Sequence, residues 1–376
     1  MIKSPKFAAY PQATRPLYAR WFGVGATLLA VLSSLGALLR NTLEPESLGV
    51  IILGVMALWL LALLSRVLYY RFNHHNAQFY QQTSDGVCAA WWVRHRQQVA
   101  LVESVLLGAG CSTPAQAAGL FSPEHRAPQP TPSPCGPTLY LPQLLTPPGV
   151  MREQRLASLL GAQWLAERSD TSAVHPLCCY WYGTQAGWQA FVDQVAQSEA
   201  LIQLPHTPRA WVGMKSLDSI IDQLQDAPQG ARILCGGCHT TSPDPDSPLP
   251  AGEAAALWLL GRHGDTRLFR GEGLEAGETL PSVGQRAMLQ AALEARPEHC
   301  VSFHQREHPD IATLGWNAGQ SLQDANFGDL GLFESVVAQT LAAWSAARLG
   351  KPVAWLAKDP HYSLALGMVE TDEPRI

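Results

Sequence analysis

Charge is what this chain has least of. Only 15% of its 376 residues are charged and the formal net charge is −5, so no basic surface is on offer to a nucleic-acid backbone and nucleic-acid partners are set aside. There is no Gly-rich phosphate loop, no Gly-x-Ser-x-Gly elbow and no internal sequence repeat, which removes P-loop phosphoryl transfer, the serine-elbow hydrolases and solenoid architectures. Two stretches lack charge entirely: residues 21–39, WFGVGATLLAVLSSLGALL, and residues 48–65, LGVIILGVMALWLLALLS. At 1.5 Å per residue each is about as long as the roughly 30 Å hydrocarbon core of a bilayer, and neither shows the polar stripe of a soluble helix.

Only eight residues, 40–47, separate the two stretches, so they read as a transmembrane hairpin. Lys3, Lys6, Arg15 and Arg20 precede the first span, and Arg66, Arg71, Arg94 and Arg96 follow the second, while the turn holds Arg40 beside Glu44 and Glu46. That bias places the tail 1–20 and everything after residue 65 in the cytoplasm. The expectation is a multi-pass protein of a bacterial inner membrane with both termini cytoplasmic, touching membrane lipid through residues 21–65. A cleavable signal peptide does not fit, because the first apolar run begins late, is long for an h-region and is followed at once by a second. Trp21, Trp59, Tyr69 and Tyr70 fall where interfacial aromatics belong, and His74-His75 reads as an interfacial polar patch.

The eight cysteines are Cys88, Cys111, Cys135, Cys178, Cys179, Cys235, Cys238 and Cys300. In a cytoplasm they are reduced thiols. Cys235-Gly-Gly-Cys238-His239 nevertheless matches the attachment signature of a c-type haem, and Cys-x-x-Cys alone suggests a zinc clip or a dithiol pair. Haem attachment belongs to oxidising compartments, so a periplasmic haem or redox protein built on Cys235, Cys238 and His239 requires the opposite topology. A zinc clip needs a second ligand pair, which the adjacent Cys178-Cys179 is poorly placed to give. The remaining reading makes Cys235 and Cys238 small core residues. No cofactor and no metal are expected.

Along the body, residues 86–107 have few breakers and read as a helix close to the membrane, within a membrane-proximal helical region 72–121. Residues 122–150 carry nine prolines and form a Pro-rich linker or extended wrap. From 151 to 376 the pattern alternates: helices in 152–168, 186–198, 215–226, 284–295 and 333–350, with strands in 173–182, 231–237, 252–262, 299–304, 352–359 and 362–370. Strands separated by helices of this length predict a layered α/β/α domain.

The run KSLDSIIDQLQDAPQGARILCGGCHTTSP followed by PAGEAAALWLLGR resembles the middle of the ketoacyl synthases of the thiolase-like superfamily. GQRAMLQAALEARPEHCVSFH is similar to their helix, loop and strand that lead into the first active-site histidine, and FGDLGLFESVVAQTLAAWSAARLGKPVAWLAKD to their Gly-rich turn, Ala-rich helix and closing strands. The resemblance covers about residues 205–368 and, more weakly, from 151. It implies a thiolase-like α/β/α domain behind a two-helix anchor, and it makes Cys235 and Cys238 core residues of a strand that ends in a Gly-Gly turn.

The chemistry implied by the resemblance carries over poorly. The family nucleophile is a cysteine at the start of a helix; here that place falls on Gly213 or Met214, neither of which attacks a thioester. The second histidine falls near Gly328 in Asn326-Phe327-Gly328-Asp329-Leu330-Gly331. The first has a match in His304, followed by Gln305-Arg306-Glu307-His308 where Gly-Thr-Gly-Thr is expected. Ser216 is a candidate replacement nucleophile, although serine at a helix start is usually a cap. His299, Cys300, His304 and His308 lie close in sequence, but alternation on a strand leaves only Cys300 and His304 on one face. Asp244 and Asp246 read as a turn and not as a cation loop. The expectation is a non-catalytic binding or adaptor protein. Degenerate domains of this superfamily look like accessory proteins of bacterial toxin delivery, type VI secretion among them, so the implied protein partner is an effector or secretion component. The superfamily's usual assembly implies a homodimer. The alternative is an acyl-transfer or acyl-binding enzyme using His304 with Ser216 or a cysteine of the 235–238 turn.

Overall fold

The computed structural model describes residues 5–38, 45–168, 173–198, 201–303, 309–317 and 322–371. The chain divides into two compact units, residues 2–92 and residues 93–376. In the first, α1 (Tyr18–Leu38) and the opening of α2 (Pro45–His95) carry the two uncharged runs. Both helices are long and apolar enough to cross a membrane. Trp59 packs directly over Gly25, where a Cβ would lie 2.6 Å from the indole. Residues 5–17 are not helical. They return along the far half of α2 as a strap: Arg66 Nη2 donates to Thr14 O (2.5 Å), Ala13 N to Asn73 Oδ1 (2.6 Å) and Asn73 Nδ2 to Pro11 O (3.2 Å), and the Phe7 ring meets Tyr80 edge-on.

The second unit runs in the order β1 (Gln98–Gly108), α3 (Pro114–Leu120), β2 (Thr138–Leu139), α4 (Val150–Glu167), β3 (Cys179–Tyr182), α5 (Gln185–Ala196), β4 (Arg209–Ala210), α6 (Met214–Asp226), β5 (Arg232–Thr240), β6 (Ala251–Gly261), β7 (Thr266–Phe269), β8 (Glu272–Gly273), α7 (Leu280–Gln290), β9 (His299–Ser302), α8 (Asp324–Phe327), α9 (Glu334–Leu349), β10 (Val353–Asp359) and β11 (Tyr362–Thr371). Its mixed sheet is ordered β4-β3-β5-β6-β1-β7-β11-β10-β9. The two halves of that sheet repeat one pattern. β1 pairs antiparallel with β6, β6 antiparallel with β5 and β5 parallel with β3; β7 pairs antiparallel with β11, β11 antiparallel with β10 and β10 parallel with β9. α6 leads into β5, and α9 occupies the same place before β10. The repeat is one of topology, with no trace in the sequence.

Side-chain periodicity explains the layers. Leu217, Ile220, Ile221 and Leu224 of α6 recur at helical spacing and are fully buried, each worth about 1.5–3 kcal/mol. They share one core with α3, α9 and residues from both halves of the sheet. α4 and α5 cover the opposite face of the first half, and α7 that of the second. β6 is buried at all eleven positions between two neighbours, apolar except at Glu253, whose buried carboxylate is paired with Arg152.

Several expectations are corrected. Residues 98–107 are not helical: α2 ends at His95, and β1 then forms the middle of the sheet, paired on both sides. Within the expected helical region 72–121, α2 is helical to His95 and α3 follows from Pro114, with β1 between them, so strands of the sheet begin well before residue 151. The Pro-rich stretch is a wrap: β2 pairs parallel with β6, and Leu139 and Leu141 are buried. Asp244 does close a turn, its Oδ1 accepting from Asp246 N at 3.0 Å.

Candidate functional site

α6 begins at Gly213, which adopts φ +65° and supplies no side-chain cap. No acidic residue lies in its first turn, so its leading N–H groups and positive dipole end need an acceptor from elsewhere. Asp359, at the end of β10, provides it. Its buried carboxylate takes Met214 N on Oδ2 at 2.8 Å and His361 N on Oδ1 at 2.9 Å. A Cβ on residue 213 would collide with Asp359 Oδ2. Glycine is thus demanded twice, by backbone angle and by the carboxylate that fills the place of a side chain. Ser216, buried, accepts from Val212 N on Oγ at 2.8 Å, tying the entry strand to the first turn.

A second cluster surrounds the start of α9. Gly328, at φ +73°, presses against the opening of β6, where a Cβ would lie 2.5 Å from Pro250 O. Asp329 Oδ1 accepts from Gly331 N at 2.9 Å, and Asp329 O accepts from Thr241 Oγ1 at 2.6 Å. Because the Thr241 proton is committed there, the 3.0 Å contact between His239 Nε2 and Thr241 Oγ1 makes the imidazole the donor. Burial pushes the His239 pKa below its ordinary value, and Asp329 opposes that shift. Tyr182 and Phe333 enclose the ring. His125, delivered by the Pro-rich wrap, reaches Asn326 Oδ1 at 2.7 Å. Beside this turn lies a cavity of about 530 Å³ walled by Pro128, Pro130, Leu139, Leu249, Pro250 and Leu322, with Asp324, Asp329 and Lys358 as its charged groups.

Cys235 and Cys238 do not form a pair. Three residues apart on β5, they face opposite sides of the sheet: Cys235 packs with Tyr180 and Trp258, Cys238 with Trp181 and Leu257. Burial holds both thiols well above the ordinary thiol pKa. Side chains on opposite faces cannot share one haem, one zinc ion or one disulfide, which overturns the haem and redox reading of this motif. Cys300 points into the core with Ala354 and Leu356, and His299 is exposed. His304 and His308 lie outside the described residues. Sequence reasoning does not find Asp359, Thr241 or His125, and it finds His239 only as the tail of the haem signature. Apart from that signature none of them stands in a motif, and each acquires its partner only through folding.

No protein-family profile and no curated protein matches the chain. Solved structures do. The fold is similar to that of the ketosynthase from module 1 of the bacillaene synthase of Bacillus amyloliquefaciens FZB42, at 12% identity over 75% of this chain and 74% of that chain, with a TM-score of 0.50. ChlB3, described as an acyltransferase, aligns at 14% identity over 73% of this chain and 98% of its own, with a TM-score of 0.45. An OleA of Xanthomonas campestris aligns at 13% identity over 73% and 98%, with a TM-score of 0.42. At such identities the fold is what is shared: the second unit is a mixed α/β, thiolase-like domain.

Proposed function

We propose that this chain is a membrane-anchored binding protein whose thiolase-like unit does not perform thioester condensation. The observation that carries this reading is the Asp359 carboxylate seated on the first turn of α6. By resemblance to the ketoacyl synthases, that turn is where the attacking cysteine stands. A carboxylate buried there repels a thiolate, and Gly213 and Met214 offer no nucleophile. Ser216 spends its oxygen on a backbone bond.

Two observations support the anchor and its topology. α1 and α2 are long and apolar enough to span. The strap is hydrogen-bonded to α2 at Arg66 and Asn73, which fits a topology with the N-terminal tail and the chain beyond residue 65 on one side of a bilayer. The cation bias assigns that side to the cytoplasm of a bacterial inner membrane. The unit then serves to hold a protein client at the membrane, an effector or secretion component of the type VI kind by family analogy. Purification of the full chain in detergent should recover a stoichiometric protein that residues 1–92 alone do not; no difference between the two would contradict the binding role.

The fold shared with a ketosynthase, together with the apolar cavity beside Asp329, favours a second reading as an acyl-binding or acyl-transfer enzyme. It requires a covalent or saturable acyl complex.

A further inference from the structure

The acidic residues of the first unit are segregated. None occurs in residues 1–43, Glu44 and Glu46 fall between the two uncharged runs in sequence, and none follows until Asp85. At the other end of the spans lie Arg15, Arg20, Arg66 and Arg71. Arg15, Arg20 and Arg71 are exposed, and among the described residues no carboxylate pairs with any of the four. Asp85 is 19 residues beyond Arg66 on the same helix, about 28 Å away at 1.5 Å per residue.

The strap brings Thr14, and with it Arg15, to Arg66 on α2, the helix that also carries Arg71. Arg66 Nη2 holds Thr14 O and Thr14 Oγ1, while Arg66 Nη1 is shielded from water and has no partner among the described residues. Arg15 adjoins Thr14, and α1 opens at Tyr18, four residues on and at most about 14 Å away. The first turn of α1 contains no acidic side chain and includes Arg20, so a helix N-terminus adds its partial positive charge to the group. Tyr69, 61% exposed, stands beside the Arg66 guanidinium, 5.8 Å from ring centre to Cζ. Cations with no counterion among the described residues, a positive helix end and an exposed tyrosine at the lip of an apolar span lack one component, an anion that is itself fixed at the membrane surface.

We propose that Arg15, Arg20, Arg66 and Arg71, with the N-terminus of α1, form a binding site for the phosphate headgroup of an anionic phospholipid. This rests on the membrane-anchored reading above. The lipid phosphodiester supplies the missing charge to guanidinium donors, and the strap holds Arg15 next to Arg66 whether or not lipid is bound. The attraction is worth about fivefold in affinity per cation near an anionic surface.

The test uses the full chain in detergent, with native mass spectrometry after addition of phosphatidylglycerol or phosphatidylcholine of identical acyl chains. Phosphatidylglycerol should be retained and phosphatidylcholine should not. The triple variant Arg15→Gln, Arg20→Gln, Arg71→Gln should lower retention by on the order of 100-fold, and Arg155→Gln, an exposed cation of the second unit, should change nothing. Inorganic phosphate at millimolar excess should not displace the lipid. Equal retention of the two lipids, an unaffected triple variant or displacement by inorganic phosphate would each overturn the site. Flotation with phosphatidylcholine vesicles separates the two readings: wild type and triple variant should float alike if the anchor stands, and failure of both to float removes the anchor and the lipid site with it.

Discussion

Asp359 and Gly213 form one unit of meaning at the scale of single residues. Both oxygens of the carboxylate are engaged by backbone N–H groups, so Asp359→Asn loses an acceptor and the charge that faces the helix dipole. The cost should be about 1–2 kcal/mol, read as a lower thermal midpoint for the full chain in detergent, and an unchanged midpoint would refute the capping role. His239 carries a pH signature. Burial lowers its folded pKa, so the folded state binds fewer protons at this ring than the unfolded chain, whose histidine titrates near about 6.5. Its contribution is complete above about pH 6.5 and is lost as pH falls below that value. His239→Gln should therefore gain thermal midpoint relative to wild type between about pH 7 and pH 5, whereas a constant difference across that range would show that the ring is not held neutral.

Elements differ in how far the sequence announces them. α6, β6 and α9 are legible because their patterns are extreme: an amphipathic repeat, a strand apolar but for Glu253, and a helix of small residues that is buried almost throughout. β1 is not, since QVALVESVLLG follows a helix without a breaker, and its apolar residues fit either period. What makes it a strand is a partner on each side, 146–161 residues away in the case of β6 and 165–171 in the case of β7. The site is half legible. Local motifs reveal the glycines; the carboxylate that caps α6 comes from β10, 145 residues from Met214. The Cys235–Cys238 motif misleads because a spacing that pairs side chains in a turn separates them on a strand. Both should resist a thiol reagent in the native protein and react only on unfolding. Modification of either under native conditions at the rate of exposed Cys135 would contradict the burial of β5.

The whole molecule joins a hairpin-and-strap unit to a thiolase-like unit whose two halves repeat one strand pattern. Each half brings the end of one strand to the helix start of the other: β10 gives Asp359 to α6, and β5 brings His239 to the opening of α9. These are the two points at which each half of the sheet meets the helix of the other. Here one is closed by a carboxylate, and the other holds a histidine bound to threonine. The most direct measurement of a non-condensing role is the intact mass of the full chain after incubation with long-chain and short-chain acyl-CoA and with an acyl-loaded carrier protein. The expected result is an unmodified mass under conditions in which an active ketosynthase is acylated. A stoichiometric acyl adduct mapping to residues 213–216 or 235–238 would contradict it and establish the acyl-transfer reading instead.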